Sequence, residues 1–329
     1  MTESYSPNGL GREKFLKAAI VGSGVVLYST LCRLTYDYFS NPENNESPPS
    51  QTPILSEEGQ IKLNGTVPNP NEEPESLSKK IPEGYKPFKS LPGIEILQNR
   101  YIENYSIYAV LIDPVKASVY LSAEPKENDL FIRKPIQEHL NGHTGIAVNG
   151  MPYYDVNDFQ GGSTELAYPV VRNGTRLNNG FMSITENPTQ GERERSPQQL
   201  SMLVITTDGI NINPYNHEII QNPKNYPPYK DADIMVLENP DAPGRNNRSN
   251  VNRTHIGLLP DGKLVILICE RMKFQDAANE TKKWTDNWGR CGGGNDTQLT
   301  TNNEAISFVE EKDGVRRLPQ ALIAVSRQA

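Results

Sequence analysis

Nothing constrains the fold of this chain more than the run Leu264-Val265-Ile266-Leu267-Ile268. An unbroken stretch of β-branched and aliphatic residues this short cannot make a core helix. It suits a strand covered on both faces. Just upstream, Leu259-Pro260-Asp261-Gly262 has the composition of a turn. Proline pre-sets φ, aspartate can bond its own backbone, and glycine takes a positive φ without a Cβ clash. The preceding strand is then His255 to Leu258, with Arg253 at its entrance. The pattern predicts a buried hairpin, and Glu270 falls where its second strand leaves the core. A carboxylate there is either solvated or held in a pocket that shifts its pKa.

The triplet Gly292-Gly293-Gly294 follows at a distance. Glycine packs nothing and loses much backbone entropy on folding, so three in a row are poor in a strand interior. They are useful where backbone N–H groups approach a ligand, an anion above all. A loose surface loop is the other reading.

The N-terminal third has a different character. Residues 18 to 32 are uncharged and mostly apolar; Arg12, Lys14 and Lys17 precede them, and Arg33 after them is soon followed by Asp37, Glu43 and Glu46. That asymmetry predicts a membrane anchor over 18–36, with residues 1–17 in the cytoplasm and the remainder outside. No Ala-x-Ala-like cleavage site follows, so an uncleaved anchor is expected. Residues 37–92 read as a linker, and 40–92 hold ten of the chain's 26 prolines. Such a segment buries too little apolar area to offset its ordering entropy. Residues 93–329 then form one domain, of a size that supports a single core.

Within that domain the patterns are strand-rich. Tyr105 to Ile112, Ala117 to Leu121, Ile146 to Val148, Leu166 to Val171, Ser201 to Thr206 and Asp233 to Leu237 all read as strands. Glu138 to His143 reads as the end of a short helix stopped at Asn141-Gly142. Residues 211–230 and 239–250 read as Pro- and Asn-rich loops. The expected class is α+β, with a curved, mainly antiparallel sheet and few helices.

Charge and cysteines bound the partners. A net charge of −7 and a pI near 5.3, with no basic stripe, argue against nucleic acid. An anionic substrate would need local arginines. The histidines show no metal spacing with Cys or carboxylates, so neither metal nor cofactor is expected. Cys269 and Cys291 flank the candidate site and can pair only if their Cα atoms come within about 7 Å.

Three blocks in order carry a family resemblance. They are Ile146-Ala147-Val148-Asn149-Gly150-Met151-Pro152-Tyr153-Tyr154, Arg253-Thr254-His255-Ile256-Gly257 through Asp261-Gly262 to Glu270, and Arg290-Cys291-Gly292-Gly293-Gly294-Asn295. Together they resemble the phosphodiester glycosidase domain family over residues 95 to 327. Cys291 stands where the family has Asp, Asn295 where it has Ser, and Met151-Pro152 replace its second glycine and that glycine's neighbour. The resemblance implies hydrolysis of a sugar-1-phosphodiester, with a glycan or sugar-phosphate as substrate. It implies Glu270 as the catalytic carboxylate, with Asp155 and Asp296 competing for a second carboxylate role. Arg253 would clamp the diester, Asn149 would bind sugar or phosphate oxygens, and the amides of Gly292, Gly293 and Gly294 would face the negative charge. The departures at Cys291 and Asn295 leave a second class open, a glycan- or phosphoglycan-binding envelope protein with a decayed site. A structural protein tethered by its stalk is the third.

Overall fold

The computed structural model describes residues 81–102, 105–154, 163–188, 194–240, 250–293, 296–302, 304–307, 310–311 and 314–327. The expected anchor, residues 37–80 of the expected linker, Asp155, Gly294 and Asn295 lie outside them. Among the described residues no helix is long and apolar enough to cross a membrane.

The main sheet runs, in spatial order, Lys86–Leu91, Ile94–Ile102, Tyr105–Ile112, Leu264–Met272, Val251–Leu258, Trp288–Gly293, Asp233–Glu238, Leu200–Thr206 and Gly209–Pro214. The short hairpin Val170–Arg172 and Thr175–Arg176 attaches to Asp233–Glu238. A second sheet runs Glu304–Ser307, Leu299–Thr301, Gly145–Asn149, Gln320–Ser326 and Ala117–Ala123. Both sheets are antiparallel and curved without closing. The described α-helices are His217–Gln221 and Phe274–Lys282, so the fold is mainly β with few helices.

Alternation along the strands sorts the core into two faces. On Leu264–Met272, residues Leu264, Ile266 and Ile268 pack with Val148, Leu322 and Ala324 of the second sheet. Residues Val265, Leu267 and Cys269 pack on the other face, with Leu97, Ala109 and Ala277 of the helix Phe274–Lys282. The long hairpin has the expected turn. Gly262 has φ 81° and donates its N–H to Leu259 O at 3.0 Å.

Four expectations are corrected. Lys86–Leu91 pairs with Ile94–Ile102 in a stretch read as linker, so the sheet begins before residue 93. The run read as one strand from Leu166 to Val171 is broken at Pro169, which has no N–H for a ladder, into Ser163–Leu166 and Val170–Arg172. The stretch 211–230 is not a plain loop. It holds most of the edge strand Gly209–Pro214 and a helix whose N-cap, Asn216, accepts from the amides of Glu218 and Ile219. Finally, Gly292 and Gly293 lie inside the strand Trp288–Gly293, where a missing Cβ allows close approach.

Candidate functional site

The three separated blocks meet at Asn149, the last residue of the central strand of the second sheet. Its Oδ1 accepts from Thr254 Oγ1 at 2.7 Å and from the Gln298 amide at 3.2 Å. Its Nδ2 donates to Gly292 O at 3.0 Å and to Gly150 O at 3.3 Å. Thus one side chain ties the hairpin, the glycine segment and its own loop together. These four bonds occupy two acceptor and two donor positions. Gly292 completes the tie by donating its amide to Gly150 O at 2.9 Å. A Cβ on Gly292 would stand 3.0 Å from Gly150 O and 3.2 Å from Asn149 Nδ2. The absent side chain at Gly292 therefore serves a backbone-to-backbone contact, and its amide is used within the protein. Gly293 pairs with Arg253.

Glu270 lies on the face turned to the second sheet. Its Oε2 accepts the Ser106 amide at 2.9 Å, and its Oε1 accepts Ser307 Oγ at 2.8 Å. Ser307 belongs to the edge strand of the second sheet, so Glu270, like Asn149, bridges the two sheets.

Arg253 takes the other face of the hairpin from Glu270. It stands directly opposite Cys269 in the hairpin ladder, and therefore shares the face of Cys269 that carries the helix. Its Nε donates to Met272 O at 2.9 Å, and its guanidinium lies 5.6 Å from the centre of the Phe274 ring. On the same face, Glu238, Arg290 and His255 form a buried row across three neighbouring strands. Arg290 Nη2 is 3.1 Å from Glu238 Oε2, and Arg290 also lies over Phe274 at 4.8 Å. Tyr168 Oη donates to Glu238 Oε1 at 2.6 Å, and Arg195 Nε stands 3.6 Å from the same oxygen. The Thr281 hydroxyl donates to Ala277 O at 2.8 Å, so it accepts from His255 Nδ1 at 2.7 Å. That fixes the tautomer with the proton on Nδ1. Burial, then the Arg290 and Arg253 charges, hold the His255 pKa down at about 3. His255 stacks on Trp288 at 4.6 Å.

Asp296 sits beyond the glycine segment. Its Oδ1 is 2.8 Å from Arg316 Nε, which also donates to Tyr153 Oη at 2.7 Å. The guanidinium groups of Arg133 and Arg316 each lie 5.4 Å from the Tyr153 ring centre. Burial, with the Asp296 charge as the next cause, raises the Tyr153 pKa, so its hydroxyl stays protonated.

Cys269 and Cys291 are both free and buried, which settles the question of a bridge between them. Cys269 packs on the helix face; Cys291 packs with the core between the sheets, its Sγ 3.6 Å from Thr254 O and 3.8 Å from Asn149 O. Burial raises both thiol pKa values. Among the described residues no group of His, Cys, Asp and Glu is placed to hold a metal.

Several residues that shape this region escaped the sequence reading. Ser106, Ser307, Gln298, Arg316 and Glu238 act through partners distant in sequence, which no local pattern announces. Glu238 carried the one available signal, a carboxylate ending the apolar run Asp233–Glu238.

No protein-family model matches the chain, and no curated protein matches it. Among solved structures it is similar to the catalytic domain of zebrafish N-acetylglucosamine-1-phosphodiester alpha-N-acetylglucosaminidase, auto-inhibited by its pro-peptide. That likeness has 12% identity and TM-score 0.48, covering 75% of this chain and 87% of the other. A hypothetical protein from Synechocystis gives 11% and 0.40, covering 75% and 64%. A Burkholderia pseudomallei protein described as exported gives 10% and 0.38, covering 67% and 74%. Likeness at this level concerns the chain path and carries nothing about chemistry.

Proposed function

We propose that this protein is a hydrolase of the phosphodiester glycosidase type, acting on sugar-1-phosphodiester linkages of a glycan or envelope polymer outside the cytoplasm. The observation that carries the reading is the convergence at Asn149. Three blocks that resemble the family pattern in order also meet in space, through bonds to Thr254 and Gly292. In this reading Glu270 is the catalytic carboxylate, with Asp296 and Asp155 competing for the second role. Asn149, Gly292 and Gly293 hold the walls together. Asp155 and Gly294 keep the roles the resemblance implies. Arg253, directed to the helix face, is not assigned to the substrate. A phosphate leaving group needs little protonation, so anion stabilisation carries more of the step than acid assistance. An apolar anchor over residues 18–36 would hold the domain at the membrane surface.

A second reading has its own observation. Cys291 replaces the family's aspartate with a buried, protonated thiol, and the polar groups of Asn149 are occupied internally. Both fit a protein that binds a phosphoglycan without cleaving it.

Release of free sugar from an N-acetylglucosamine-1-phosphodiester by the purified chain separates the two. Under the first reading Glu270→Gln lowers turnover by roughly 10²-fold or more, since it removes the charge and keeps the shape. No release by wild type, with saturable binding of the same ester, moves the assignment to the second.

A further inference from the structure

Two irregularities of the main sheet flank the strand Val251–Leu258 at the candidate site. On one side, Val251 pairs with Met272 and Arg253 with Cys269. One residue, Asn252, therefore opposes two, Glu270 and Arg271. On the other side, Arg253 pairs with Gly293 and His255 with Arg290. Thr254 therefore opposes Cys291 and Gly292. Each is a β-bulge, an extra residue that bends the strand and frees it from the ladder. Both fall on positions the resemblance marks.

The first bulge has an unusual occupant. Arg271 has φ +43°, in the left-handed region that glycine enters freely and other residues rarely do. Contacts of its amide and its guanidinium hold it there. Its amide donates to Asn252 Oδ1 at 2.9 Å, its Nη1 donates to Tyr105 Oη at 2.8 Å, and its guanidinium lies 5.1 Å from the Tyr105 ring centre. The ladder between Leu264–Met272 and Tyr105–Ile112 stops at the pair Cys269 and Ile107. The next amide on that neighbour, Ser106, is taken up by the Glu270 carboxylate instead of by a backbone carbonyl.

We propose that Arg271 is a positioning residue for Glu270: its left-handed backbone makes the bulge that ends the ladder and turns the carboxylate onto Ser106 N and Ser307 Oγ. The role belongs to the backbone conformation, so glycine can replace Arg271 and a β-branched residue cannot. This inference rests on the proposed hydrolase reading for its functional meaning, but not for its structural test.

Amide hydrogen exchange at Ser106 is the structural readout, measured by NMR on the full chain as wild type, Arg271→Gly and Arg271→Val. Arg271→Gly keeps the Ser106 amide protected as in wild type. Arg271→Val speeds its exchange about tenfold relative to core amides such as Ile266, the equivalent of one lost hydrogen bond of ordinary net strength. Core exchange at Ile266 shows that the variant is folded. Sugar release is the functional readout. Arg271→Val lowers kcat with little change in KM, and Arg271→Gly restores kcat, a rescue that loss of the arginine charge could not produce. Unchanged Ser106 protection in Arg271→Val overturns the proposal. So does equal loss in both variants, which would assign the effect to the side chain. An inactive wild type with the predicted exchange pattern would instead sink the hydrolase reading and leave the positioning role standing.

Discussion

At the scale of the residue, the buried polar groups are tied to one another across the sheet more than they are held ready for a ligand. His255 shows the consequence for pH. Its pKa is lowered to about 3 in the fold, against about 6.5 for a free imidazole. Between those values the unfolded chain binds a proton that the folded chain refuses, so stability falls as pH drops below about 6.5. His139, between Ser122 Oγ at 2.9 Å and Leu318 O at 3.0 Å, behaves alike with a pKa of about 4. Each imidazole contributes up to about 1.4 kcal/mol per pH unit of acid destabilisation in this window. Urea unfolding at pH 7 and pH 5 should show it. His255→Gln, which can still meet Thr281, should lose one proton's worth of the slope. An unchanged slope would mean that His255 is not buried in the neutral form.

At the scale of the element, the two sheets meet through short polar bridges. The Asn149–Gly292–Gly150 tie depends on Gly292 having no side chain. A Cβ there falls at 3.0 Å from Gly150 O, tighter than ordinary contact, and Gly150 is itself confined by Gln320. Gly292→Ala should therefore force the segments apart and lower stability by about 1–3 kcal/mol, as overpacking does. Thermal unfolding would measure the loss, and a variant as stable as wild type would show that the tie is slack. The same element marks the limit of what the sequence discloses. Alternation and apolar runs announced Tyr105–Ile112, Gly145–Asn149, Leu200–Thr206, Asp233–Glu238 and the long hairpin. The register of that hairpin was also within reach. Counting back from its turn sets Arg253 opposite Cys269, and so on the face away from Glu270. The strand Trp288–Gly293 was hidden, because the glycines that weaken a strand by propensity are the ones that permit its contacts: a Cβ at Gly289 would meet Leu237 Cβ at 2.7 Å. The bulges were hidden as well: one lies at the open end of that hairpin, beyond the pairs that counting from the turn sets, and the other joins strands separated by the helix Phe274–Lys282.

At the scale of the whole molecule, the question is where the folded unit begins, and the described residues answer it with packing. Proline density sets the expected boundary at residue 93, yet the segment before it is built into the core. Tyr85 packs edge-on against Trp284, ring centres 5.0 Å apart, and its hydroxyl donates to Glu280 Oε1 at 3.0 Å. Lys86–Leu91 forms the edge strand against Ile94–Ile102. Lys89 reaches Thr301 and Glu304 of the second sheet, each at 3.0 Å. Phe88 meets Tyr108 edge-on at 5.6 Å. A chain beginning at Leu91 loses all of these contacts and leaves Trp284 with an open flank, whereas one beginning at Ile81 keeps them. The aromatic contact of Tyr85 with Trp284 alone is worth about 0.5–1.5 kcal/mol beyond its buried area. With the buried area of Tyr85 itself and the edge ladder added, the shorter chain should be less stable by more than about 2 kcal/mol. Denaturant unfolding of the two chains side by side tests this. Equal midpoints and equal slopes would mean that the segment rests on the domain without stabilising it, and would return the boundary to residue 93.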